Sequence, residues 1–306
     1  MNTLRAAVNV NGQVTALREG RIPVTDRGFL YGDSVYDTFR TYDGVPLELD
    51  AHMDRLERSA KEIFLSVTQS REFLLREIKR TIAWAQQGGE RCDVYVRVII
   101  SRGVGPVDLI PGDTGETTYV IMVQQPPTWG ELHRRGVRLA IPTVRRNSPR
   151  TLDPNVKSGN YLNNVLGALQ ARHVGADDAL FVDLDGFIAE GSNSNVLFVR
   201  AGSVWLPNPG RGNLMGITQG VVMQVCAHLG RACHAAPIVP GDLKTMDEGA
   251  ITSATRGVMP VASIRLEDGK DILLPQNPGR ITTELRRGYE SFVADYVATH
   301  RAQALL

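Results

Sequence analysis

Two adjacent prolines, Pro126 and Pro127, stop an apolar run that begins near residue 117. Proline offers no amide hydrogen to a strand ladder and fixes φ, so the pair ends a strand and stiffens the connection beyond it. The break falls inside a chain of 306 residues, a length that suits one large or two ordinary domains of ~150 residues each. The expected division is a smaller α/β domain over 1–125, a linker over 126–136 and a larger mixed α/β domain over 137–306.

Periodicity fills in both halves. Alternation around Asn11-Gly12 over Val8–Val14, and around Asp43-Gly44 over Val35–Leu49, predicts two hairpins. Met53, Leu56, Ala60 and Ile63, then Leu74, Ile78, Ile82 and Ala85, recur at helical steps and predict two amphipathic helices. Strands follow at about 93–101 and 117–124. Beyond the prolines the pattern predicts a strand at 137–141 and a helix over 160–173, with Leu162, Val165, Leu166 and Leu169 as its apolar face. Short strands come next at 179–183, 187–190, 195–199 and 203–206, then a helix at 218–229, a strand near 249–253 and a last helix over 279–298. No internal repeat or low-complexity tract appears.

Composition narrows the function. The 34 basic and 33 acidic residues leave a net charge of +1, which argues against broad capture of nucleic acid or an anionic membrane. Apolar runs such as Tyr119–Val123 fall far short of the ~20 residues of a membrane helix. Met1–Val10 lacks the cationic and apolar regions of a signal peptide, so a cytoplasmic protein is expected. Cys92, Cys226 and Cys233 contain no CxxC and indicate neither a disulfide framework nor a zinc site. The basic residues are 29 arginines and five lysines, so lysine chemistry has only five candidates. Base composition is the plain explanation of that bias.

Four of those lysines have ordinary surface readings. Lys157 sits instead in the polar, glycine-containing stretch Asn155–Tyr161 at the entry to a helix. It reads either as an inert loop lysine or as an amine nucleophile, since a lysine near a desolvated cleft can lose its proton where arginine cannot. Glu190 ends a strand beside Ser192, Asn193, Ser194 and Asn195; buried there, it needs a cationic or N–H partner to stay ionised. The alternative is a polar hairpin turn. Gly216-Ile217-Thr218 opens a helix and is either a plain cap or an anion cup. Arg55, on the first long helix, is a phosphate fork or a solvated arginine. Tyr36, Thr38 and Arg40 share one strand face, as do Tyr95 and Arg97. Arg97 needs either a structural acidic partner or an acidic ligand.

Taken in order, the segments DRGFLYGDSVYDTFR (26–40), AHMDRLERSA (51–60), YVRVIISRG (95–103), VKSGNYLNN (156–164), EGSNSNVLF (190–198), GIT (216–218) and SATRGVMPV (253–261) resemble the class-IV, fold-type-IV pyridoxal-phosphate enzymes. These include branched-chain aminotransferases, D-amino-acid aminotransferases and 4-amino-4-deoxychorismate lyases. The resemblance implies a small N-terminal and a larger C-terminal domain with the site between them. It also implies a homodimer or higher homo-oligomer whose partner lends loop residues. Lys157 would hold pyridoxal 5′-phosphate as a Schiff base and shuttle the substrate α-proton; Glu190 would pair with the pyridine nitrogen. Arg55 and the N–H groups of Ile217 and Thr218 would hold the phosphate, with Tyr161 near the phenolic oxygen. Ser194, Asn195, Gly216 and the Ser253-Ala254-Thr255 turn complete the expected cofactor set. Two departures stand out: Tyr161 lies one residue closer to the lysine than in the branched-chain enzymes, and Ala254 replaces a phosphate-binding threonine.

The resemblance leaves the substrate open. Tyr31, Tyr95 and Arg97 look like a branched-chain pocket in which the arginine meets the side-chain carboxylate of glutamate. Thr38 and Tyr36, replacing a glycine and a phenylalanine, make that pocket more polar, and Arg40 lies on the same face. The Arg-x-His carboxylate trap of D-amino-acid enzymes is missing, since Val107, Asp108 and Leu109 stand there. A D-selective enzyme would need Arg97, Arg27 or Arg256 instead. Thr38 suits a lyase. Arg256 either supplies or blocks a carboxylate contact. The expected activity is amino transfer between an amino acid, branched-chain or related, and a 2-oxo acid such as 2-oxoglutarate or pyruvate; the alternatives are the lyase, a D-amino-acid aminotransferase, or a non-catalytic binder.

Overall fold

A computed structural model describes residues 4–87, 89, 91–112 and 114–305; Met1–Thr3 of the opening stretch lie outside them. The chain forms two compact units. One comprises the residues up to Pro127 with Val156–Asn160 and Asp295–Leu306; the other comprises Thr128–Asn155 and Tyr161–Ala294. Lys157 therefore belongs to the first unit, although it lies 30 positions beyond the double proline.

The first unit contains β1 (Ala7–Val10), β2 (Gln13–Ala16), α1 (Arg27–Tyr31), β3 (Ser34–Tyr42), β4 (Val45–Pro46), α2 (Leu49–Glu62), α3 (Arg71–Ala85), β5 (Tyr95–Ser101) and β6 (Thr118–Gln124). Its antiparallel sheet runs β2-β1-β6-β5-β3-β4. Both predicted hairpins form, with positive φ at Asn11-Gly12 and at Asp43-Gly44, the backbone that two-residue hairpin turns require. The second is shorter than expected: β4 ends at Pro46, and Leu49 opens α2. The helical stripes are buried as read. Met53, Leu56, Ile78 and Ile82 pack with Phe39, Val96, Val98 and Ile121, and trimming one such side chain to alanine costs about 2–5 kcal/mol.

One edge of β3 is shared. β4 covers Thr41 and Tyr42, while at the other end Ser158 bridges Val35 and Gly159 N–H donates to Ser34 O at 2.8 Å. A side chain at 159 would strike Ser34 Oγ at 2.4 Å, so only glycine lets the segment approach this closely. Val156 lies in the same apolar core.

The second unit contains α4 (Gly130–Arg135), β7 (Val137–Ala140), α5 (Leu162–His173), β8 (Asp178–Val182), β9 (Ile188–Gly191), β10 (Asn195–Arg200), β11 (Ser203–Pro207), α6 (Ile217–His228), β12 (Cys233–Ala236), β13 (Glu248–Ser253), β14 (Gly257–Arg265), β15 (Asp271–Leu273) and most of α7 (Arg280–Thr299). The main sheet runs β12-β11-β10-β13-β14-β7-β8-β9, with β15 added to β14. The mixed α/β architecture expected from the sequence is present, with β12, β14 and β15 beyond the predicted strands.

One expectation is reversed. Leu162, Val165, Leu166 and Leu169, read as the buried face of α5, are 69%, 47%, 43% and 60% exposed. The helix packs instead through Asn164, Gly167 and Ala171. A Cβ on Gly167 would meet the Phe181 ring at 2.2 Å, so the helix rests on its small residues and turns its leucines outward. Periodicity located an apolar stripe, but not what covers it.

Candidate active site

In the first unit, β3 separates two sets of side chains. Val35 and Phe39 enter the core beneath α2, and Asp37 shares their side. Tyr36, Thr38 and Arg40 take the other side, opposite Ile99, Arg97 and Tyr95 of β5. Lys157 joins this second set. Its carbonyl accepts from Tyr36 N–H at 2.9 Å, its own N–H donates to Ser59 Oγ at 3.1 Å, and its Nζ lies 4.6 Å from the Tyr36 ring centroid. Arg97 packs over the same ring at 3.8 Å. Among the described residues no carboxylate lies within ion-pair distance of Arg97, and its buried Nε has no hydrogen-bond partner. Arg40 stacks on Tyr42 at 4.4 Å, and Tyr31, at the end of α1, lies against Arg27 at 4.8 Å. Lys61, Lys79, Lys244 and Lys270 are all exposed; Lys157 is not.

Arg55 is not the solvated arginine that one reading allowed. It is buried, and its Nε and Nη2 donate to Asp37 at 2.7 and 2.8 Å. His52 Nδ1 lies 2.7 Å from the same carboxylate, which also accepts from Thr38 N–H at 2.6 Å. Burial alone would push the Asp37 carboxyl up, but the charge of His52, the hydrogen bonds from Arg55 and His52, and the Arg55 charge hold it well below the usual carboxylate range. Arg27 is also committed: it is buried, bonds Asp33 at 3.1 Å, and donates to the carbonyls of Asp108 and Leu109. It anchors the loop instead of offering a free cation to a ligand.

In the second unit, Glu190 lies within β9 and is 5% exposed, so it is not the residue of a solvated turn. Its Oε1 meets Arg146 Nη2 at 2.8 Å, and its Oε2 accepts from Leu214 N–H at 2.9 Å. Both kinds of partner that a buried carboxylate needs are therefore present. Asn195 donates to Leu214 O at 2.7 Å and packs so tightly on Gly216 that a Cβ there would fall 1.9 Å from Asn195 Oδ1. Gly216 is the N-cap of α6 with no capping side chain, so the first amides of that helix, from Ile217 and Thr218, have the geometry of an anion cup. Ser194 Oγ is buried without a hydrogen-bond partner.

Asn195 pairs with Thr252 of the neighbouring strand, which puts the Ser253-Ala254-Thr255 turn beside this polar run. Arg256 N–H closes that turn onto Ser253 O at 3.2 Å. Its guanidinium lies over Trp129 at 4.9 Å, bonds Asn193 and sits 3.6 Å from Asp178. Tyr161 precedes the first turn of α5 and belongs to the second unit, four residues beyond Lys157 but across the unit division.

These arrangements have close counterparts. The sequence profile of amino-transferase class IV matches residues 34–264. The chain belongs to the class IV aminotransferases. A Methanocaldococcus jannaschii protein provisionally named a branched-chain-amino-acid aminotransferase is 34% identical over 92% of this chain and 95% of its own. The aminodeoxychorismate lyase of Bacillus subtilis is 27% identical over 95% of this chain and 96% of its own. Among solved structures, the branched-chain aminotransferase of the archaeon Thermoproteus uzoniensis with norvaline superposes with a TM-score of 0.83 at 27% identity, covering 95% of each chain. The fold-type IV architecture expected from the sequence is thus shown.

Three residues of this aminotransferase escaped the sequence reading: Asp37, His52 and Arg146. Asp37 was detectable, because alternation from Tyr36 and Thr38 puts it on the core side of β3, where a carboxylate demands a cation. Arg146 lies in the irregular segment after β7 and carried no periodic signal. Among the described residues no helix is long and apolar enough to cross a membrane, and no group of three or more metal-ligating side chains occurs.

Proposed function

We propose that this aminotransferase uses pyridoxal 5′-phosphate to move an amino group between an amino acid, branched-chain or related, and a 2-oxo acid such as 2-oxoglutarate or pyruvate. The observation that carries the reading is the setting of Lys157, the one lysine of the chain that is not exposed, held by its backbone against β3 with its ammonium over Tyr36. The residues also suit the cofactor chemically. An ionised, doubly held Glu190 matches a protonated pyridine nitrogen, while the glycine-opened end of α6 and the Arg55 guanidinium match a phosphate. When bound, the cofactor supplies an electron sink for the substrate α-carbanion.

In this reading Lys157 Nζ makes the covalent link to the cofactor and, once the amino substrate displaces it, carries the proton between the substrate α-carbon and the cofactor. Tyr36, over which both Nζ and the Arg97 guanidinium lie, keeps two cations on one face of the sheet and covers the amine. Arg97 recognises the distal carboxylate of an acidic substrate. The exposed leucine face of α5 is covered by a second copy of the chain, so the mass in solution should be at least twice that of one chain, and Leu166→Glu should lower it.

The test is direct. The loaded protein should absorb in the visible, and Lys157→Ala should remove both that band and all turnover; a band unchanged in Lys157→Ala would overturn the reading. Thr38, on the same face as Arg97, and the likeness to a lyase make a second reaction worth measuring. Mixing with L-leucine, L-glutamate, D-alanine or aminodeoxychorismate separates the two: loss of the band reports amino transfer and its handedness, whereas pyruvate release from aminodeoxychorismate reports the lyase.

A further inference from the structure

Arg146 makes an unusually complete set of contacts for a residue in a connecting segment. Its Nε donates to Gly212 O at 2.8 Å, and its Nη1 donates to Asn164 Oδ1 at 2.9 Å and to Asn163 Oδ1 at 3.1 Å. Its Nη2 meets Glu190 Oε1 at 2.8 Å. Side-chain exposure is 10% for Arg146 and 7% for Glu190. The braces are themselves fixed. Asn164 donates to Ser192 O at 2.7 Å and Asn163 to Arg145 O at 2.8 Å. Gly212 has a φ of +83°, and any Cβ there would meet Arg146 Cγ at 2.7 Å. Backbone conformation and collision together reserve that position for glycine.

The loop that receives Arg146 also serves Glu190. Gly212 O takes Arg146 Nε, and two residues later Leu214 N–H donates to Glu190 Oε2. One guanidinium and one backbone amide therefore hold the two carboxylate oxygens separately, each braced by the same short loop. A carboxylate buried this deeply loses its charge unless cationic or N–H partners compensate for lost water. It retains further acceptor sites, because an ionised carboxylate has about four lone-pair directions.

We propose that Arg146 is the positioning residue for Glu190: it keeps the carboxylate ionised and aims it at the ring nitrogen of the bound cofactor, thereby setting how firmly that nitrogen keeps its proton. This rests on the role given to Glu190 above. It adds an active-site support that touches neither substrate nor cofactor. Arg146 does not need to move; its fixed fork lets Glu190 meet a protonated ring without first changing its own protonation.

The experiment compares Arg146→Met, Arg146→Lys, Asn164→Ala and Glu190→Gln, each loaded with pyridoxal 5′-phosphate. The readouts are the dissociation constant of the cofactor and the visible spectrum across pH. Arg146→Met should weaken binding roughly tenfold or more, in the range seen when residues supporting a bound group are removed, and should make the spectrum vary with pH as in Glu190→Gln. Arg146→Lys should restore most of the affinity, and Asn164→Ala should show a smaller change in the same direction. Wild-type affinity and spectra in both Arg146 variants, with Glu190→Gln altered, would overturn the proposal and leave the Glu190 role standing. Wild-type behaviour in Glu190→Gln as well would overturn the Glu190 role itself. If Arg146→Met does not fold, Asn164→Ala and Arg146→Lys decide: unchanged spectra in both overturn the proposal.

Discussion

Each unit buries an arginine against a carboxylate, and the two pairs are built in opposite senses. In the first, Arg55 forks Asp37, whose oxygens are also engaged by His52 and the Thr38 amide. The carboxylate is saturated, and the arginine is the member with a proposed ligand. In the second, the two Glu190 oxygens are held by Arg146 and by the Leu214 amide, whereas Arg146 is engaged through Nε, Nη1 and Nη2. There the arginine is the brace, and the carboxylate has the proposed ligand. The same ion pair can present either charge to a site, depending on which partner the surrounding hydrogen bonds exhaust.

The strongest way to break this comparison is to remove the brace of the first pair. Asp37→Ala leaves a buried guanidinium without its carboxylate and should destabilise the protein by about 3–5 kcal/mol, as single removals from buried pairs do. Replacing both partners by apolar residues, as in Asp37→Leu with Arg55→Met, should recover much of that loss in thermal unfolding while still failing to bind the cofactor. Equal cofactor affinity in the double variant and the wild type would remove Arg55 from the site. Acid should act like a mild form of Asp37→Ala. Because the folded environment lowers the Asp37 pKa, its stabilising contribution is present above the ordinary carboxylate value of about 3.9 and is lost as pH falls towards its folded value. Melting temperatures measured from pH 7 down to pH 3 should therefore fall more steeply for the wild type than for Asp37→Asn.

The two pairs also show what the sequence revealed. The α2 and α3 stripes were legible because the sheet that covers them is made by the same chain, so apolar period and burial coincide. On α5 the two part company: the leucines face outward and Gly167 and Ala171 carry the packing. Lys157 and Glu190 stood out because few residues of their kind occur in such settings, and the family resemblance gave them roles. Their supports did not stand out. Asp37 obeys the alternation of β3 and needed only the question of what a core-facing carboxylate binds. Arg146 depends on Gly212, Asn163 and Asn164 meeting across the fold, a coincidence of tertiary structure that no local spacing records.

Arg97 sharpens the comparison from the other side, as an arginine with no carboxylate within reach among the described residues. If its partner is the distal carboxylate of the substrate, Arg97→Gln should raise KM for L-glutamate and 2-oxoglutarate roughly ten- to hundredfold, the equivalent of about 1.5–3 kcal/mol for a charged hydrogen bond. L-leucine, which offers no such group, should change by less than threefold, roughly 0.6 kcal/mol. Steady-state kinetics on the three substrates checks this, and equal losses on all of them would make Arg97 a structural residue held by Tyr36.

Arg256 lies between these cases. Its guanidinium is 3.6 Å from Asp178, too long for a direct hydrogen bond, and Asp178 Oδ2 has no hydrogen-bond partner among the described residues. Burial pushes the Arg256 pKa down, and the Asp178 charge only partly opposes this, so the environment leaves the cation short of compensation. A substrate α-carboxylate would supply it. Arg256→Ala should then raise KM for every amino donor by about fivefold, near 1 kcal/mol, with kcat little changed, because the contact is made equally before and during reaction. Its melting temperature should fall less than that of Asp37→Ala, since only a long ion pair is lost. Unchanged KM for all donors would leave Arg256 as a clasp between Trp129, Asn193 and the turn at Ser253, and would move it to the bracing side of the comparison with Arg146.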